Sequence, residues 1–231
     1  MKTLILVSHP KVEESGTQEF LKTSAGSLDN TTWRYIDKRY QDHQLVVADE
    51  QKLLRQFDRI VFQFPMYWYS SPASLKRYMD DVFTRNFVVA KQGLKGKELG
   101  LVLTLGDSVK DFQAGGREKF TISELMRPFE AFANKAGMTY LKPFVISQFG
   151  YLDVSEKQRL LVAYLQYLSA SMPLTFEVRE KWLIDRLKRL KSDKADQQQQ
   201  LLDLIIESID SRQDQINDLK LTVKMIRDQE E

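Results

Sequence analysis

Residues 62–83 read FQFPMYWYSSPASLKRYMDDVF, and the fold follows from how that stretch changes character along its length. It enters as the end of an apolar run, Ile60-Val61-Phe62-Gln63-Phe64, the pattern of a strand covered on both faces. Pro65 stops the run, and Tyr67, Trp68 and Tyr69 crowd the connection that follows. Ser71 before Pro72 reads as an N-cap followed by a first-turn proline. Leu75, Tyr78, Met79, Val82 and Phe83 then recur at helical spacing. Connections normally face water, and aromatic side chains contribute most when buried. Three aromatics in a turn therefore pose a question. Either they pack under neighbouring loops or in a subunit interface, or a flat ligand lies on them.

The same strand–turn–helix alternation extends in both directions. Leu4–Val7 and Leu99–Leu103 are continuous apolar runs, and Phe144–Ile146 is a further strand. Trp33–Ile36 alternates and reads as a half-exposed strand nearer the sheet edge. A helix starts near Ser15-Gly16-Thr17, and Asp49 is placed to cap a short helix carrying Leu53, Leu54 and Phe57. Thr121 with Glu124 forms a capping box for a helix ended by Gly137, with Pro128 imposing a kink or a late start. Ser155 with Gln158 reads as another capping box before Leu160–Leu168. Strands alternating with amphipathic helices imply an α/β doubly wound parallel sheet over residues 1–172. Such sheets bind ligands beyond the carboxyl ends of their strands. In a five-stranded order 2-1-3-4-5, Ser8–Gln18, Pro65–Tyr69 and Thr104–Asp107 would meet at one crevice.

The first of these segments offers Ser15 and Thr17 hydroxyls, a flexible Gly16 and the free amides of a helix start, a combination that suits a phosphate and equally an ordinary capped helix. His9 either donates to such a phosphate or bonds its own turn. Neither a Walker A lysine motif, a GxGxxG fingerprint nor a GxSxG elbow is present. With no cysteine and two histidines, His9 and His43, no metal site is expected and cysteine chemistry is excluded. The 231 residues carry 34 basic and 32 acidic side chains, a net charge of +2 that gives no footing for nucleic-acid binding. The apolar core of the N-terminal segment is too short for a signal peptide, and no run is long enough to span a bilayer, so a cytoplasmic protein is expected.

The central segment resembles the signature of the flavodoxin-fold NAD(P)H:quinone oxidoreductases, including bacterial relatives that serve as ancillary subunits of potassium-efflux systems. SHP followed by SGTQ, TLGD in place of the usual TxGG, and GGREKFTISELMRPFEAFANKAGM agree with it in order and spacing. The resemblance covers about residues 1–170. It implies a flavodoxin-like sheet, bound FMN or FAD, NAD(P)H as electron donor and a quinone-like acceptor. By the same resemblance, His9, Ser15, Gly16, Thr17 and Gln18 would surround the flavin phosphate. Pro65, Met66, Tyr67, Trp68 and Tyr69 would line the ring, and Thr104, Leu105, Gly106 and Asp107 would close its other side. No side chain need be the chemical catalyst, because the flavin performs the hydride chemistry. Two residues depart from the pattern. Gln18 replaces a common asparagine, and Asp107 replaces a second glycine, bringing a carboxylate that would disfavour an anionic reduced ring. A flavin-binding regulatory subunit docked on a membrane transporter or another partner is the rival reading, and an interaction protein with a lapsed site is a third.

After residue 172 the chain loses its strand signals and turns charged, glutamine-rich and helical. Leu202, Ile205, Ile209, Arg212, Ile216, Leu219, Val223 and Ile226 alternate in steps of three and four, an a/d seam with β-branched residues at most a positions. Residues 173–231 are accordingly expected to form a helical extension. It either joins subunits, as a coiled coil or helical hairpin supporting a homodimer or higher homo-oligomer, or folds back on its own domain. The basic stretch KWLIDRLKRLK would alternatively lie on a membrane or partner surface.

Overall fold

A computed structural model describes residues 1–191 and 196–230. The chain divides into two compact units, Met1–Ser169 and a second beginning at Ala170. In the first, the elements run β1 (Thr3–Val7), α1 (Gly16–Ala25), β2 (Thr31–Tyr35), α2 (Ile36–Gln41), α3 (Val47–Arg55), β3 (Arg59–Pro65), α4 (Ala73–Val82), β4 (Glu98–Leu105), α5 (Ile122–Leu125), α6 (Arg127–Ala136), β5 (Thr139–Tyr140), β6 (Phe144–Ser147) and α7 (Val154–Ser169).

The strands form one parallel sheet in the order β2-β1-β3-β4-β5, with β6 also pairing with β4. The order 2-1-3-4-5 is the expected one, but its last strand comes in two pieces. β5 pairs with Glu98 and Leu99, whereas β6 pairs with Val102–Leu105. Leu141, Lys142 and Pro143 lie between them, and Pro143 has no N–H for a ladder bond. The central strands β1 and β3 are buried along their whole length, as their largely apolar runs require, with Thr3, Arg59 and Gln63 as buried polar members. β2 is half-exposed at the edge and ends at Tyr35, so Ile36 opens α2 instead of closing the strand.

Phe62 and Phe64 project from β3 onto Phe129 at ring separations of 6.1 and 5.6 Å, and Phe83 and Phe132 extend the cluster. Arg59, at the start of β3, is fully buried. It donates to Glu98 at 2.6 Å and to the main-chain oxygen of Tyr167, which supplies the partners a buried charge needs. Pro128 gives a late start: the helical run breaks at Met126, and α6 begins with proline in its first turn. The Thr121–Glu124 capping box is present, and Gly137 ends α6 at φ 67°.

Three caps differ from expectation. α3 starts at Val47 and carries Asp49 in its first turn, where a carboxylate meets the helix dipole without capping it. Pro72, not Ser71, occupies the cap position of α4. α7 begins two residues before its expected box: Asp153 accepts from the Glu156 N–H at 2.7 Å, and Glu156 accepts from the Asp153 N–H at 2.9 Å. The Asp153–Glu156 pair has the same i, i+3 spacing as Ser155–Gln158, and a carboxylate is the stronger acceptor.

The second unit contains α8 (Phe176–Lys191) and α9 (Asp196–Glu230). Lys191 bonds Asp203 at 2.8 Å while Glu177 accepts from Lys220 at 3.0 Å, so the two helices run antiparallel as a hairpin. KWLIDRLKRLK lies within α8. The expected heptad does not form one buried seam. Leu202, Ile209 and Ile216 are partly covered, with Ile206 buried between them, whereas Ile205, Arg212, Leu219, Val223 and Ile226 are exposed. Alternate a/d positions thus fall on two faces of α9.

Candidate functional site

Because β1, β3 and β4 are parallel neighbours, their carboxyl ends share one rim of the sheet. The ladder continues past the strands. The Met66 N–H donates to the Thr104 carbonyl at 3.0 Å, and the Gln148 N–H donates to the Leu105 carbonyl at 2.9 Å. These bonds tie three loops side by side, and α1 closes the fourth wall. The result is a cleft of about 310 Å³ lined by Thr17, by Pro65, Met66 and Tyr67, by Thr104, Leu105 and Gly106, and by Ile146 with Gln148–Tyr151. The volume sits at the lower end of the range for ligand sites. A Cβ on Gly106 would meet no heavy atom within 4 Å, so this wall leaves open space.

The three sequence-distant segments therefore do meet, represented in the cleft wall by Thr17, Pro65, Met66, Tyr67, Thr104, Leu105 and Gly106. His9, Ser15, Gly16, Gln18, Trp68, Tyr69 and Asp107 are outside that lining. The Gln148–Tyr151 wall was not anticipated. The signal was available, since it follows β6 just as the other walls follow their strands. Phe149 is anchored from both sides, against Phe20 of α1 at 5.2 Å and beneath the Lys157 ammonium at 5.2 Å.

The aromatic turn is a tight hairpin. Tyr67 and Ser70 exchange both backbone hydrogen bonds, at 2.9 and 3.0 Å, around Trp68 at φ 47° and Tyr69 at φ 64°. Positive φ at both central positions is the type I′ geometry that glycine and asparagine favour. Two bulky aromatics there store roughly 1–3 kcal/mol of strain each. Trp68 is 93% exposed. These rings are thus held out at the rim, and not packed underneath the loops of their own chain.

Tyr69 is tied down by its hydroxyl, which donates to Glu118 at 2.8 Å and has its pKa raised chiefly by that bond. Arg117 next to it faces Asp107 at 3.1 Å, Asp111 at 3.7 Å and Glu118 at 3.3 Å. The Asp107 carboxylate therefore shares one guanidinium with two other carboxylates, and the Asp107 carbonyl accepts from Ser147 at 3.0 Å.

At the other end, Ser15 caps α1 by accepting from the Gln18 N–H at 3.3 Å. The first-turn N–H groups of Gly16 and Thr17 have no intrahelical carbonyl, and the helix dipole adds positive potential there. His9 Nδ1 accepts from the Lys11 N–H at 3.1 Å, so the neutral ring carries its proton on Nε2, a donor. Burial lowers the His9 pKa, against the opposing pull of Asp37, and favours that neutral form. The His9 main chain is fixed by Asp37, which accepts from its N–H at 3.2 Å, and by the Tyr35 hydroxyl, which donates to its carbonyl at 2.9 Å. Gln18 is buried. Its Oε1 accepts from Gln63 at 2.6 Å, while its Nε2 has no partner.

A parallel 2-1-3-4-5 sheet with its cleft beyond the carboxyl ends of β1, β3 and β4 defines the flavodoxin-like class of α/β proteins. The chain belongs to the family described as having a flavodoxin-like fold, whose model matches residues 1–172. An NAD(P)H oxidoreductase of Bacillus subtilis, YrkL, is 43% identical over 173 residues, covering 72% of this chain and 98% of the relative. The potassium-efflux ancillary protein KefG of Cronobacter sakazakii is 35% identical over 176 residues, covering 75% and 95%. The crystal structure of an NADPH-quinone reductase from P. pentosaceus superposes with a TM-score of 0.68 at 50% identity, covering 73% of this chain and 98% of that one. General stress protein 14 of Treponema denticola, solved in complex with FMN, gives a TM-score of 0.66 at 30% identity, covering 73% and 98%.

Proposed function

We propose that residues 1–172 bind FMN in this cleft and pass reducing equivalents from NAD(P)H to a quinone-like acceptor. The observation that carries the reading is the convergence of three strand-end segments, far apart in sequence, on one cleft beside the start of α1. The residues fit such a cofactor. The amides of Gly16 and Thr17, the capped start of α1, the Nε2–H of neutral His9 and the orphaned Gln18 Nε2 are donors suited to a phosphate. Met66 and Tyr67 lie side by side with Thr104–Gly106 in the wall of the cleft, a surface suited to a flat ring, with Trp68 and Tyr69 following at its edge. Bound flavin would supply the hydride chemistry, and the protein's part is binding and orientation. Arg117 pairs with Asp107 but is shared with Asp111 and Glu118, so the group keeps a net negative charge and the Coulombic cost to an anionic reduced ring is only partly offset. The Tyr69–Glu118 bond joins the aromatic turn to the loop after β4 and steadies the rim where donor and acceptor alternate.

The resemblance to the potassium-efflux ancillary protein KefG supports a second reading, in which the flavin domain regulates a membrane partner. In either case the exposed apolar side chains of α9, among them Leu219, Val223 and Ile226, are suited to pairing with a second copy of the chain as a coiled-coil homodimer. Dependence on NAD(P)H supports a cytoplasmic setting. Among the described residues no helix is long and apolar enough to cross a membrane.

The test is spectroscopic. Purified protein should carry or take up FMN, show a flavin absorption spectrum that bleaches with NADH or NADPH, and oxidise the nicotinamide steadily when a quinone is added. A colourless preparation that refuses FMN overturns the proposal. Flavin binding with turnover only in the presence of a membrane partner favours the second reading.

A further inference from the structure

A chain of hydrogen bonds crosses the interior of the first unit from α7 to α1. The Tyr164 hydroxyl donates to Gln63 Oε1 at 2.7 Å, and Gln63 Nε2 donates to Gln18 Oε1 at 2.6 Å. All three residues are buried, Tyr164 and Gln63 completely and Gln18 at 1% exposure. Each bond has a direction, and together they orient the last amide. Its oxygen is consumed by Gln63, so Gln18 Nε2 is left with unpartnered N–H groups. Buried polar atoms are rarely left so, and each exception calls for an explanation.

The polarity could have run the other way. If both amides turned over, Gln18 Nε2 would donate to Gln63 Oε1, and Gln63 Nε2 would donate to the Tyr164 oxygen. One Gln18 N–H would then be used inside the chain, and Gln18 would present its Oε1, an acceptor, where Nε2 now stands. That arrangement would take from the buried Tyr164 O–H the acceptor it has in Gln63 Oε1, so the hydroxyl favours the opposite sense. Gln18 is in the first turn of α1, where side chains tilt toward the helix N-terminus and so toward the open amides of Gly16 and Thr17. An anion there would accept from Gln18 Nε2 and satisfy it.

We infer that Tyr164 and Gln63 are positioning residues: they set the polarity of a buried hydrogen-bond chain that holds Gln18 Nε2 as a donor for the phosphate of the bound ligand. The inference rests on the FMN reading above. It concerns side chains on β3 and α7 that would not themselves touch the ligand.

Tyr164→Phe removes one hydroxyl from the chain and leaves the ring. Gln63→Met, of similar volume, is the second variant, so that failure of one to fold leaves the other. Affinities for FMN and for riboflavin, which lacks the phosphate, are read from flavin fluorescence, and the ³¹P resonance of bound FMN is recorded alongside. Each variant should lose about tenfold in FMN affinity, the scale of a hydrogen bond to a charged group, while riboflavin affinity changes less than twofold. The ³¹P resonance should move. Equal losses for both ligands would assign the two residues to packing alone and overturn the inference, as would unchanged FMN affinity with an unmoved resonance. Wild-type protein that binds neither flavin would overturn the functional reading itself. Wild-type binding with unaltered discrimination in the variants would overturn only the chain.

Discussion

At the scale of the residue, the most informative positions are those where local preference is overridden. Trp68 and Tyr69 adopt a backbone that L side chains avoid, and Trp68 is almost wholly exposed, so no burial compensates it. Replacing Trp68 with glycine should relieve the strain and raise stability by about 1 kcal/mol after the entropy of the glycine is deducted, seen as a higher Tm. The same change should weaken FMN binding, because the ring at the cleft edge is gone. A Tm that falls would show that Trp68 is held by contacts in the free protein. His9 shows the limit of reading residues one by one. Its sequence context allowed a phosphate donor, a neighbour of a ring or a turn-bonded ring. The structure shows the turn bond, with Nδ1 accepting from the Lys11 amide, and donation from Nε2–H to a phosphate is part of the proposed function.

At the scale of the element, the strands and helices were legible because their burial patterns are periodic. β1, β3 and β4 needed only their apolar runs, and Gly137 and the Thr121–Glu124 pair marked helix ends by local chemistry. One displaced cap arose where two residues of capping type, Asp153 and Ser155, stand two positions apart. The caps of α3 and α4 fall on Val46 and Pro72, which make no side-chain cap bond, so packing sets those helix starts. The broken fifth strand was missed because a two-residue strand carries no period. β4 offers a sharp test. A Cβ on Gly100 would approach the Tyr167 hydroxyl to 2.8 Å, and that hydroxyl accepts from the Leu101 N–H at 3.0 Å. Gly100→Ala should therefore cost about 1–3 kcal/mol in denaturant unfolding by displacing Tyr167. An unchanged midpoint would mean that α7 yields freely.

At the scale of the whole molecule, the first unit matches nearly the full length of the relatives named above, which implies that it can stand alone. Truncation after Met172 should leave an FMN-binding, quinone-reducing domain with undiminished activity per flavin. It should also lower the number of chains per particle obtained from light scattering, because α9 carries its uncovered apolar side chains away. An unchanged number of chains would assign assembly to the first unit. On α9 the hairpin with α8 takes one side of the stripe, so a pattern that looks like one seam in sequence serves two faces.

By itself the sequence determined the strand and helix alternation and the three segments that lie past buried strands, because hydrophobic period and capping chemistry are local properties. Only the tertiary structure decided that Arg117 pairs with Asp107 and that Tyr164 reaches Gln18 through Gln63. Those contacts join residues far apart in the chain. Which polar groups meet across a sheet depends on the relative placement of whole elements, and no short-range pattern encodes that.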